Sequence, residues 1–138
     1  MNRVLPAFIL LGVLVTPIVV SADDAANEAI ARRYYAEFNA RDFEALSEFV
    51  SVDFVDHTGN GDGVGALQRR MEALVAEVPD ARISIQLILV SGDHVTVIAN
   101  IAGTSGGMMP ADQRPVDYAA IDVWLIRDGM LSEIWRSD

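Results

Sequence analysis

The sequence predicts an α+β domain, with helices covering one face of a curved sheet, and three patterns predict it. Apolar residues recur at helical spacing as far as Val78 and alternate from Ile83 onward. The strongest two-residue hairpin signal, Asp128-Gly129, falls in the second half. Helices gathered ahead of strands, rather than interleaved with them, point to α+β and away from a parallel α/β sheet.

Taken in order, Ala26, Ile30, Tyr34 and Phe38 stand four apart and predict a first helix over about Ala25–Asn39, with Asp23 and Asp24 as its N-cap and favourable charge. Asn39-Ala40-Arg41-Asp42 interrupts it, and Asp42 caps a short second helix carrying Phe43, Leu46, Phe49 and Val50. Asp53–Thr58 alternates as a short strand, and Gly59-Asn60-Gly61-Asp62-Gly63 is a loop by composition. Leu67, Met71, Leu74 and Val78 form one stripe of a third helix, Val64–Val78, which ends before Pro79. Ile83, Ile85, Leu87 and Leu89 then alternate, Gly92-Asp93 turns the chain, and His94–Ser105 is rich in β-branched residues. Beyond the loop at Gly106–Pro110, Pro115–Ile126 alternates again and Met130–Trp135 follows the hairpin turn. These last four strands are expected to pair antiparallel through short connections.

Composition narrows the chemistry. Hydrophobic residues are 51% and charged residues 22% of the 138 positions, ample for a core and too apolar for disorder. Ten arginines and no lysine face 20 acidic residues, for a net charge of −10. Without a basic cluster the chain is not expected to bind nucleic acid, and without lysine it forms no Schiff base. The absence of cysteine removes disulfides, thiolate nucleophiles, cysteine-bound zinc and iron–sulfur clusters. Two histidines, His57 and His94, are too few for a histidine-rich metal site, and Asp56-His57 with Asp62 is a weak pattern for one. What remains is acid–base chemistry without metal or organic cofactor, or binding alone.

The N-terminus reads as an address. Arg3 precedes an uncharged apolar run, Val4–Val20, and Val20-Ser21-Ala22 is a small-residue cleavage site ahead of Asp23-Asp24. Residues 1–22 are therefore expected to be a secretory signal peptide, and residues 23–138 a single domain, periplasmic or secreted and free of the membrane once cut. An uncleaved anchor is the alternative, since the run approaches the lower limit for a membrane span.

Asp122 is the sharpest candidate. On an alternating strand it shares a face with Val116, Tyr118, Ala120, Trp124 and Ile126. A carboxylate among apolar side chains loses hydration and becomes a base nearer neutrality, as proton abstraction beside a carbonyl requires. The alternative is that this face is solvent or interface and that Asp122 is paired to an arginine. His57, before the glycine-rich loop, either donates to a substrate oxygen and trades a proton with Asp122 or closes the loop structurally. His94 reads as surface. Tyr34 and Tyr35 are adjacent, so only one is expected to face inward, where it would bond a ligand or join the core. Trp124 and Trp135 are expected in core or pocket wall. Asn100 is a polar intrusion on its strand. Met108-Met109 lines an entrance or is an exposed loop, and the Gly59–Gly63 loop reads as a lid or mouth over the pocket.

An ordered series of short motifs then resembles a known family. It comprises Tyr35-x-x-Phe38-Asn39, Phe54-Val55-Asp56-His57, Val78-Pro79-Asp80, Ser91-Gly92-Asp93-x-Val95, Gly103-Thr104-x-x-Gly106, Ile121-Asp122-Val123-Trp124, and Arg127-Asp128-Gly129-x-Leu131-x-Glu133-x-Trp135. Together they cover nearly all of residues 23–138 and resemble the SnoaL-like polyketide cyclases of the nuclear-transport-factor-two-like superfamily. The resemblance implies a cone-shaped α+β fold whose curved antiparallel sheet is open at one end. It also implies a small, largely apolar carbonyl or ring compound in the cone, and a homodimer paired through the sheet. Asp122 stands where the cyclases carry the general base/acid of an aldol closure. On the reading of the residues themselves, His57 is expected as its partner, and Tyr35, Asn100, Tyr118, Trp124 and Met108 around the substrate. Aldol-type cyclisation, isomerisation and dehydration all remain open. Because the superfamily also holds plain binding proteins, a secreted ligand-binding or protein-interaction module is the rival reading.

Overall fold

The computed structural model describes residues 21–107 and 109–137. The expected signal segment, up to residue 20, and Met108 lie outside the described residues. The chain runs α1 (Ala22–Ala40), a 3₁₀ turn (Glu44–Glu48), β1 (Val50–Asp56), α2 (Val64–Glu77), β2 (Arg82–Ser91), β3 (His94–Ser105), a 3₁₀ turn (Pro110–Asp112), β4 (Arg114–Arg127) and β5 (Met130–Ser137). The five strands form one sheet in the order β1-β5-β4-β3-β2. β2 through β5 are antiparallel neighbours as expected, but β1 lies parallel to β5, so the sheet is mixed rather than antiparallel throughout.

Period-two alternation puts one face of the sheet against the helices. Val95, Val97, Ala99 and Ile101 of β3 are buried, and so are Ala120, Asp122, Trp124 and Ile126 of β4. Tyr34, Tyr35 and Phe38 from α1, and Leu67 and Met71 from α2, close over them. Each large apolar side chain buried this way contributes about 1.5–3 kcal/mol. α1 is held to β2 by a two-way amide clamp: Asn39 Nδ2 donates to the Ile83 carbonyl (2.7 Å) and Asn39 Oδ1 accepts from the Ile83 N–H (2.9 Å). Arg41, left-handed at φ 63°, ends α1 and donates to the carbonyls of Phe38, Pro79 and Ala81.

Two local expectations change. The N-cap of α1 is Ser21, whose Oγ accepts from the Asp24 N–H at 3.0 Å, so the helix starts ahead of the aspartates. The second helix is only a 3₁₀ turn, and Val50 belongs to β1. Asp42 does cap it, accepting from the Ala45 N–H at 3.2 Å. The segment is too short for an α-helix because the Phe49 carbonyl already accepts from the Leu131 N–H (2.8 Å), drawing the chain into the parallel pairing with β5.

The hairpin at Asp128 (φ 51°) and Gly129 (φ 73°) is a two-residue turn with both centres left-handed, which suits the twist of β4 and β5. Beyond it, register shifts between Leu125 and Ile126. The bulge sets Asp122 opposite Arg136.

Candidate functional site

Between α1, α2 and the inner face of the sheet lies a cavity of about 250 Å³. Phe38, Met71, Leu74, Ile83, Ala99 and Ile101 supply its apolar wall. Its polar lining is Tyr34, Tyr35, Arg70, Asp122 and Arg136, with Tyr118 and Glu77 also on the wall and themselves solvent-exposed.

Asp122 is 1% exposed, yet no part of it lacks a partner. Arg136 Nε donates to Oδ1, while Arg136 Nη2 (2.8 Å) and the Tyr35 hydroxyl (2.6 Å) donate to Oδ2. Trp124 Nε1 in turn donates to the Tyr35 hydroxyl at 2.9 Å, which fixes the direction of that O–H toward the carboxylate. A carboxylate has about four acceptor positions. Among the described residues Tyr35 and Arg136 fill three of them.

Burial, followed by the charge and hydrogen bond of Asp122, holds the Tyr35 hydroxyl well above the ordinary phenol range, so it keeps its proton. Burial works against the charge of Arg136. The neighbouring Tyr34 and Asp122 outweigh it and push the guanidinium above its usual value. The result is a pre-oriented carboxylate, one neutral phenol bound to it, and a fixed cation on the cavity wall.

Several expectations about the site are corrected by this geometry. Tyr34 and Tyr35 are both buried and both line the cavity, and their rings meet edge to face at 5.0 Å. Asp122 does not stand among apolar groups alone, since Arg136 and Tyr35 reach it from other elements. His57 is not in the cavity and is not placed to exchange a proton with Asp122. It sits on the outer side, stacked on Trp135 (4.3 Å, 5° between planes), with Nε2 2.8 Å from Glu133 Oε2. Trp135 is therefore an outer-face residue, 38% exposed, rather than core or pocket wall. Asn100 also points outward, donating to Asp117 Oδ1 at 2.8 Å. Trp124 is fully buried behind Tyr35 and supports the site rather than lining it. Tyr118 lines the cavity, as expected of its strand parity. None of the Gly59–Gly63 loop does, nor does exposed Met109, because that loop folds back onto β1 through the Gly63 N–H to Phe54 carbonyl bond (2.7 Å). Among the described residues no group of three or more His, Asp or Glu is placed to hold a metal ion.

Sequence reading missed Arg136, Arg70 and the inward turn of Tyr34. Arg136 shares strand parity with the buried Ile134, and that parity was its only signal.

Comparison with known proteins places this geometry. A family model for the SnoaL-like domain matches residues 31–134. Among solved structures, the proposed polyketide cyclase of Bacillus cereus is 28% identical, with a TM-score of 0.71 over 81% of this chain and 73% of that one. IdmH, a proposed polyketide cyclase of Streptomyces antibioticus, is 25% identical with a TM-score of 0.71, covering 80% of this chain and 90% of its own. AclR, a proposed hydroxylase of Streptomyces galilaeus, shares the fold at 19% identity (TM-score 0.71, 83% of this chain and 79% of that one). A search of curated proteins finds no match. Two helices on a five-stranded mixed sheet, enclosing a small-molecule cavity, make this the cone fold, and with the match across residues 31–134 the chain belongs to the SnoaL-like domain family.

Proposed function

We propose that the domain binds a compact carbonyl or ring compound in the cavity and moves a proton on it without a cofactor, with Asp122 as general base. The observation that carries this reading is a buried carboxylate on a cavity wall, held in place by Arg136 and Tyr35. A carboxylate removes a proton from carbon only where an adjacent carbonyl activates it. The fixed charge of Arg136, and the Tyr34 hydroxyl that is hydrogen-bonded to it, are the groups at hand for the charge that develops on that oxygen. Tyr35 positions the base. Cyclisation, isomerisation and dehydration all begin with this step.

The test is deuterium exchange from solvent into the α-carbons of a panel of cyclic ketones, followed by NMR. The wild-type chain exchanges at least one of them above the buffer rate, and Asp122→Asn falls to that rate. No exchange above buffer across the panel refutes the catalytic reading. One observation favours the non-catalytic rival: Arg136 and Tyr35 pair with Asp122 as they would in a purely structural ion pair. On that reading Asp122→Asn changes stability and leaves ligand turnover, if any, untouched.

Export and homodimerisation belong to the same proposal. The apolar run before Ser21-Ala22 supports export. Leu87, Leu89, Ile121 and Trp135, all exposed on the outer side of the sheet, support pairing through that face. Mass spectrometry of the exported product checks the cut after Ala22, and a concentration series by light scattering that shows only monomer refutes the dimer.

A further inference from the structure

We infer that the ligand of this cavity carries a carboxylate, and that Arg70 is the residue that selects it. The inference rests on the reading of the Asp122 cavity as a ligand site, but not on any reaction there.

The two cavity arginines are in different states. Arg136 is committed: Nε and Nη2 both bond Asp122, and it cannot turn toward a ligand without stranding a buried carboxylate. Arg70, from the middle of α2, makes a single contact, Nη1 to Asp56 Oδ2 at 3.4 Å, near the outer limit of a hydrogen bond. Asp56 is itself satisfied elsewhere, its Oδ1 taking both the backbone N–H and the hydroxyl of Thr58. Its side chain is 3% exposed, so it stands behind Arg70 as a fixed support. The Arg70 side chain is 23% exposed and lines the cavity. Among the described residues no other group bonds its guanidinium, which leaves most of a five-donor fork available.

The remaining charge on the wall gives the ligand a direction. Glu77 lies seven residues further along α2, roughly 10 Å up the helix axis, where it is exposed. A ligand anion is repelled there and attracted at Arg70. Arg136 and Asp122 offset each other, and the one available cation beside the exposed Glu77 suits a monoanion better than a phosphate dianion. Planar carboxylate on planar guanidinium is the favoured two-point match. The ligand is then a compact keto acid: its apolar body lies against Phe38, Met71 and Ile101, the carbon beside its carbonyl lies at Asp122, and its carboxylate meets Arg70.

Titration calorimetry of the full chain at pH 7 tests this with 3-(2-oxocyclohexyl)propanoate and its methyl ester, which differ only in the charged group. Wild type binds the acid at least tenfold tighter than the ester. Arg70→Met reduces that preference to under twofold, and Arg70→Lys, which keeps the charge but loses the fork, retains part of it. Circular dichroism checks that each variant is folded. Equal affinities in the wild type, preference for the ester, binding of neither compound, or a folded Arg70→Met that keeps the tenfold preference overturns the inference. Deuterium exchange at the ring carbons of the same compounds separates the two readings. Selective binding of the acid, with no exchange on it or across the ketone panel, refutes proton transfer and leaves the selection by Arg70 standing. Exchange of acid and ester with equal affinity does the reverse.

Discussion

Replacing Arg136 by methionine removes the cation from a pair in which Asp122 is 1% exposed and the Arg136 side chain 13% exposed. Methionine keeps much of the apolar stem but leaves the carboxylate with Tyr35 alone. Breaking a buried pair by deleting one partner costs about 3–5 kcal/mol, because the other charge stays buried and uncompensated. For a two-state domain of this size each kcal/mol moves the midpoint by about 4 °C, so Arg136→Met unfolds about 12–20 °C below wild type. Thermal and urea unfolding followed by circular dichroism measure it. The companion variant, Asp122→Leu with Arg136→Met, replaces both charges by apolar groups and recovers most of the loss, since it no longer buries an unpaired ion. The reasoning is refuted if Arg136→Met costs less than about 1 kcal/mol, or if the double variant is as unstable as the two single changes added together.

Changes at Tyr35, Glu133 and Gly103 give further outcomes. Tyr35→Phe leaves Asp122 short of a donor and Trp124 Nε1 without its acceptor, and costs about 1–3 kcal/mol in the same unfolding assays. Because the Tyr35 hydroxyl is raised above its unfolded value, its contribution is complete below about pH 10 and is lost as pH climbs through the folded value. Tyrosinate absorbance in an alkaline titration therefore shows a component that appears only on unfolding, and Tyr35→Phe reduces that component. Glu133 is held below the usual carboxylate range, first by its hydrogen bond to His57, so its contribution is present above about pH 4.5 and fades as pH falls through the lowered value. Glu133→Gln flattens the acid limb of the stability profile there, and an unchanged limb counts against the pairing. At Gly103 a Cβ would sit 2.5 Å from Val78 Cγ1 and 2.9 Å from Asp80 Oδ1, so Gly103→Ala destabilises by about 1–3 kcal/mol in urea unfolding.

Much of the fold was legible in the sequence because its signals are local. The stripes of α1 and α2, the alternation of β2 to β5 and the Asp128-Gly129 turn each depend on residues within a few positions of one another. The same parity rule placed Asp122 and Tyr118 on one side of β4, and both face the cavity. It could not say which side of the sheet the helices would cover. The parallel pairing of β1 with β5 likewise had no local mark, since it joins Val50 to Leu131 across most of the chain.

The electrostatic core of the site lay furthest from view. Counting back from the hairpin turn without a shift pairs Asp122 with Trp135 and turns Arg136 away. The bulge between Leu125 and Ile126 moves the register by one and delivers Arg136 to the carboxylate instead. The same one-residue slip sends Trp135 to the outer face, where it stacks on His57 and draws that histidine out of the chemistry assigned to it. The sequence by itself determined the order and type of the elements and the strand parity of the carboxylate, because periodicity and turn preference act over a few bonds. Only the tertiary structure decided what that carboxylate meets, because Tyr35, Arg136 and Arg70 reach the cavity from three separate elements through a register that no short stretch of sequence encodes.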